Sequence, residues 1–204
     1  MRPSKTIALF VLLTITRVNS HAQNCTLTCP SNIIVNVDPG KEGAIVNFPS
    51  LKLMPECGTP TFTPTSGSFF RLGSTSVTLT TTSGQKCSFT VTVGDNEPPS
   101  LSPITLSRTN IWPASAKMKK VVVHYTASDN SGNVKTVLTV KSNTETTVDD
   151  TEIIDDHLVR LKASRLPDDS PRIYTITVTA TDEAGNKTTR TTSIAVSRTM
   201  VAVK

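Results

Sequence analysis

The sequence predicts an all-β chain of two β-sandwiches in tandem, and three observations carry that reading. Short runs rich in Val, Ile and Thr alternate apolar with polar residues along most of the chain, the period of strands buried on one face. Clusters of Gly, Pro, Asn and Asp separate these runs, as the turns of a sandwich require. Asn96-Glu97-Pro98-Pro99 divides the pattern into two halves. Two adjacent prolines lack amide donors and hold an extended backbone, so no strand continues through them. They also make a stiffer joint than a Gly/Ser linker.

In the first half, Ile33, Val35 and Val37 alternate, and Asp38-Pro39-Gly40 turns the chain into a second strand from Ala44 to Phe48. Val77 and Leu79 alternate in SVTLTTT, and Phe89, Val91 and Val93 in CSFTVTV. Ser83-Gly84-Gln85 supplies the hairpin turn between those two runs. In the second half, Val121, Val123, Tyr125 and Ala127 share a face, and Asp129-Asn130-Ser131-Gly132-Asn133 follows as a turn. Leu138 and Val140 alternate next. Tyr174, Ile176, Val178 and Ala180 form the clearest strand, and Asp182 to Asn186 (DEAGN) turns the chain into Thr188 to Val196. The expected organisation is a leader over 1–22, a first module over 25–96, a second over 99–198 and a short tail over 199–204.

The leader reading rests on charge and length. Arg2 and Lys5 give a positive start, Thr6 to Thr16 is apolar but too short to span a bilayer, and Ser20-His21-Ala22 suits cleavage after Ala22. Cys25 raises acylation as an alternative, but Ala22-Gln23-Asn24 match a lipoprotein signal poorly. No later stretch is expected to cross a membrane. The chain has 21 basic and 16 acidic residues; without Arg2, Lys5 and Arg17 the balance is 18 against 16. Near-neutral charge gives no phosphate-tracking surface, so nucleic acid is not an expected partner. The expected setting is secreted, periplasmic or cell-surface.

The segment from Cys29 to Asp95 resembles the hyalin repeat, or HYR, module. The stretches that carry the likeness are CPSNIIVNVDPGKEGAIVNFP, ECGTPTFTPTSGSFFRLGSTSVTLT, CSFTVTV and the exit GDNEPP. The resemblance implies an immunoglobulin-like sandwich of the kind used in extracellular adhesive proteins. With Trp112-Pro113, HYTASDNSGN, HLVRLKASR and RIYTITVTATDEAGN, the second half looks like a module that follows such repeats in secreted bacterial proteins. The fold expected of the whole is therefore two tandem immunoglobulin-like β-sandwiches. One departure stands out: many bacterial copies have a Cys where this chain has Glu42, and here the fourth cysteine is Cys25.

Cys25, Cys29, Cys57 and Cys87 read as two disulfides, since an even count in an exported, small-core protein favours oxidation. A direct Cys25–Cys29 bridge closes too small a loop to stabilise much. Two pairings stay open, Cys25–Cys57 with Cys29–Cys87 or Cys25–Cys87 with Cys29–Cys57. A four-cysteine zinc site is the rival, but it lacks a second close pair.

Catalysis is not expected. Of three histidines, only His124 and His157 lie beyond the leader. A nucleophile needs a base in reach and an acid behind it, and no GxSxG motif occurs. Both histidines read as ordinary strand or surface imidazoles. The strongest ionic feature is Asp149, Asp150, Asp155 and Asp156, which reads first as a solvated loop, with a calcium site as the alternative, since that ion takes six or more oxygens. Asp129 and Asp182 would add ligands if their turns converge. Calcium is thus the one cofactor the sequence admits. Trp112 reads as packing at the module's edge near the linker, with a glycan anchor as the alternative. The expected function is a non-enzymatic extracellular module pair for adhesion, surface assembly or spacing, its partner an extracellular protein or glycan. The alternative is a calcium-dependent or polysaccharide-binding protein.

Overall fold

The computed structural model describes residues 25–53, 57–144 and 149–199. The expected leader over 1–22 lies outside them, as does most of the expected tail. The described residues form strands without an α-helix, and no helix is long and apolar enough to cross a membrane.

The first half contains β1 (Ile33–Asn36), β2 (Gly43–Val46), β3 (Pro60–Thr63), β4 (Ser68–Arg71), β5 (Gly73–Thr81) and β6 (Lys86–Gly94). One sheet runs β1-β6-β5-β3, and β2 pairs with β4 in the other. β5 and β6 form the hairpin expected around Gly84, with Val77 opposite Phe89 and Leu79 opposite Cys87. β1 lies parallel to β6, Ile33 opposite Val91. Val77, Leu79 and Val91 are wholly buried. Phe48 supplies the hub of this core, its ring 5.0 Å from Phe62, 6.0 Å from Phe70 and 5.2 Å from Phe89. Five of the chain's six phenylalanines thus fall in the smaller module, where each covers more area than a Val.

Gly43 shows how closely β2 and β4 are fitted. A Cβ there would fall on the Phe70 carbonyl oxygen and come within 2.7 Å of Phe69 Cζ. Backbone must move to admit it. Gly43→Ala is therefore expected to destabilise the first module by about 1–3 kcal/mol, the usual cost of overpacking. The check is a urea midpoint followed by far-ultraviolet circular dichroism.

Strand β6 ends at Gly94 and the next strand starts at Ser100, so the Glu97-Pro98-Pro99 segment interrupts pairing as its prolines demand. The second half has β7 (Ser100–Leu101), β8 (Thr105–Leu106), β9 (Asn110–Ile111), β10 (Met118–His124), β11 (Ala127–Ser128), β12 (Val134–Ser142), β13 (Thr151–Asp155), β14 (Leu158–Lys162), β15 (Ile173–Asp182) and β16 (Lys187–Val196). Sheets β13-β14-β10-β8 and β12-β15-β16-β9 enclose the core, and β7 pairs with β11. Tyr174, Ile176, Val178 and Ala180 are all fully buried, as their alternation requires. Val121, Val123 and Tyr125 also point inward, but the run is not one strand. It breaks at Tyr125-Thr126, after which β11 pairs with β7 instead of β8 and β14. The two cores share no residue.

Candidate metal centre at the junction

Both disulfides are formed, Cys25 to Cys57 and Cys29 to Cys87, which selects one of the two open pairings. Cys29 precedes β1 and Cys87 is the second residue of β6, so that bridge ties two strands that already lie side by side. Cys57, wholly buried, anchors the approach to β3 to the chain's entry at Cys25.

The carboxylates grouped by the sequence do not meet. Asp149 and Asp150 precede β13, while Asp155 and Asp156 lie at its other end. A five-residue strand between them holds the pairs roughly 16 Å apart. Each end has its own use. Asp150, 4% exposed, lies 3.0 Å from the Arg172 guanidinium and 3.3 Å from Lys162 Nζ. Asp155 accepts from the His157 backbone N–H at 2.7 Å. Asp156 accepts from the Thr136 hydroxyl at 2.7 Å, and that bond holds its carboxyl below the usual carboxylate range.

A different set of carboxylates does converge. Asp95 follows the last residue of β6, Asp129 follows β11, and Asp182 ends β15. Each offers an oxygen, and the three oxygens lie within 4.8 Å of one another. The second module positions its two through matching turns, Asp129-Asn130-Ser131-Gly132-Asn133 and Asp182-Glu183-Ala184-Gly185-Asn186. In both, the glycine takes a positive φ, 106° at Gly132 and 93° at Gly185, which a side chain would resist. β12 pairs with β15, Val134 opposite Asp182, and this register sets the turns side by side. Asp129 accepts from the Ser131 N–H at 2.8 Å. Asp182 is 7% exposed and accepts from the Asn186 backbone N–H at 2.8 Å and from its amide at 2.9 Å.

Two contacts carry the second module's turns onto the first. The Asn130 amide donates to the Lys41 carbonyl at 2.8 Å, and the Asn186 amide donates to the Asp95 carbonyl at 3.4 Å. From the linker, Glu97 adds a carboxylate that accepts from the Gly40 N–H at 2.9 Å. The oxygen Asp95 Oδ2 is buried without a hydrogen-bond partner, and so is Asn130 Oδ1. Its companion Oδ1 on Asp95 accepts from the Glu97 N–H at 3.1 Å.

The electrostatics of this cluster are unfavourable as they stand. Ionised carboxylates gathered within 4.8 Å repel one another. No salt bridge reaches Asp95, Asp129 or Asp182 among the described residues. A buried acceptor left without a donor adds a further desolvation cost. A hard cation removes both problems together. Calcium takes oxygens at about 2.3–2.6 Å, so opposed ligands stand about 5 Å apart, and a set within 4.8 Å closes around it. The three carboxylates would be the protein's share, with water completing six to eight ligands.

Sequence reasoning reached Asp129 and Asp182 as conditional ligands and missed Asp95. The signal was present: an acid directly after a strand, at the mouth of the linker, facing two turns of one pattern. Trp112 is also placed differently from expectation. It follows β9, which pairs with the end of β16 at Ala195 and Val196, the end of the sheet away from the Asp182 turn. Its Nε1 donates to the Arg198 carbonyl at 3.0 Å, far from the linker.

No protein-family model and no curated protein matches the chain, so the hyalin-repeat resemblance rests on its sequence stretches alone. Among solved structures, the chain is similar to human mucin-like protocadherin EC1-2, at 15% identity and a TM-score of 0.37, covering 85% of this chain and 97% of that one. It is also similar to protocadherin gamma B2 extracellular cadherin domains 3-6, at 13% identity and a TM-score of 0.36, covering 84% of this chain and 46% of the other. The third, PcdhgB3 EC1-4, has 14% identity and a TM-score of 0.32, with 85% and 50% covered. The chain thus spans about half the length of two of the three structures it resembles.

Proposed function

We propose that the chain is a non-enzymatic extracellular module pair, serving adhesion, surface assembly or spacing, whose junction is fixed by a bound calcium ion. The observation that carries this reading is the convergence of Asp95 with Asp129 and Asp182, one carboxylate from the first module's exit and two from the second module's turns. The unpartnered, buried Asp95 Oδ2 supports it independently of charge. Two disulfides support an oxidising, extracellular setting. The partner of the pair is an extracellular protein or glycan.

Calorimetry on chelator-treated protein tests the reading. One calcium per chain is expected, and a hundredfold excess over the dissociation constant stabilises the fold by about 2.7 kcal/mol. Asp182→Asn keeps an acceptor for Asn186 and removes one charge, so it folds but binds calcium more weakly, by roughly tenfold or more. The absence of both heat and thermal shift at millimolar calcium sinks the proposal.

A further inference from the structure

The second module carries another site, unrelated to the junction and independent of the calcium reading. A solvent-open cavity of about 480 Å³ lies over the end of β10, and both His124 and His157 line it with Tyr125, Ser102 and Thr105. The chain has three histidines in all. Bringing two of them into one cavity is a specific arrangement, because His124 ends β10 and His157 occupies the turn between β13 and β14.

The His157 imidazole is held on several sides. Its Nδ1 lies 2.9 Å from the Val123 carbonyl oxygen. A carbonyl can only accept, so Nδ1 bears the proton and the lone pair of the neutral ring falls on Nε2. Backbone pins the same residue twice, through the Val123 N–H to the His157 carbonyl at 2.8 Å and the His157 N–H to Asp155 Oδ1 at 2.7 Å. Tyr125 stacks on the ring at 4.3 Å and 22°. Tyr125 is fixed in turn, its hydroxyl donating to the Asp156 carbonyl at 2.9 Å. An imidazole whose Nδ1–H is bonded to a backbone carbonyl, leaving Nε2 free, is the arrangement that orients histidine for a metal.

We infer that His124 and His157 form a two-imidazole site for a borderline divalent transition metal of the copper, nickel or zinc class. Imidazole nitrogen suits these ions, whereas calcium and magnesium select oxygen. The junction and this cavity therefore discriminate between cation classes by donor atom. Two protein nitrogens leave the remaining coordination positions to water, so the ion here is exchangeable rather than structural.

Copper(II) is the probe, added at one equivalent to tag-free protein in millimolar calcium. A His21→Ala background leaves only these two imidazoles. The expected result is one bound copper whose electron paramagnetic resonance shows coupling to two nitrogens. His124→Ala, at an exposed position, loses one nitrogen coupling and weakens binding by roughly tenfold or more. Asp182→Asn leaves the copper signal unchanged while it weakens calcium, which separates this site from the junction. An oxygen-only spectrum, or undiminished binding in the folded His124→Ala protein, overturns the inference.

Discussion

Asp150→Ala is expected to destabilise the second module by about 3–5 kcal/mol, the cost of leaving a buried charge without its partner. The carboxylate sits between Arg172 at 3.0 Å and Lys162 at 3.3 Å, and Arg172 is itself 9% exposed. Burial works to lower the Arg172 guanidinium, but its bonds to Tyr174 and Asp150 outweigh that and raise it. The Tyr174 hydroxyl donates to the Lys162 carbonyl at 2.9 Å, and burial pushes it up. Removing Asp150 strands two cations against this phenol. Pairing the change with Arg172→Met removes the larger stranded charge and is expected to recover most of the loss, since apolar replacements of buried ion pairs are often neutral. The one Trp and both Tyr lie in the second half of the chain, so a urea midpoint read by fluorescence reports that module. A loss under 1 kcal/mol for Asp150→Ala contradicts the prediction.

The second large effect falls on the first module. Replacing Cys29 and Cys87 together by alanine is expected to cost about 4 kcal/mol, because the bridge spans 58 residues and limits the unfolded chain accordingly. The Cys25–Cys57 bridge, spanning 32, is expected to contribute slightly less, since the dependence on loop length is logarithmic. Stability of this size matters in a module whose main buried cluster, among the described residues, holds eight side chains, Phe70 and Phe89 included. Far-ultraviolet dichroism in urea, at constant slope, checks the ranking. Equal stability with and without the Cys29–Cys87 bridge removes the case for it as the main staple.

Much of the fold was legible because strand burial imposes a period of two. The β15 face of Tyr174, Ile176, Val178 and Ala180 and the Gly84 hairpin follow directly from alternation and turn chemistry. Strands β3 and β4 were not legible, since prolines bound β3 at Pro60 and Pro64 and Phe69-Phe70 break the alternation in β4. The site failed for a different reason. Asp149, Asp150, Asp155 and Asp156 are dense in sequence, but β13 separates them in space. Asp95, Asp129 and Asp182 are dispersed along the chain, and only the register of β12 on β15 and the path of the linker bring them together. Trp112 was misplaced because its neighbour in sequence, β9, joins the far end of β16.

The grip of Asn130 and Asn186 on the first module has a consequence for how such chains diversify. Both amides hold main-chain carbonyls, those of Lys41 and Asp95. Recognition of a peptide oxygen depends on where the backbone runs and is indifferent to the side chain it carries. The face of the first module at Lys41 is thereby released to change its chemistry while the docking geometry is kept. A different sandwich ending in the same acid and prolines, with the same tight turn before its second strand, would fit the same socket. A joint of this kind specifies the path of the backbone and leaves the Lys41 side chain out of the contact.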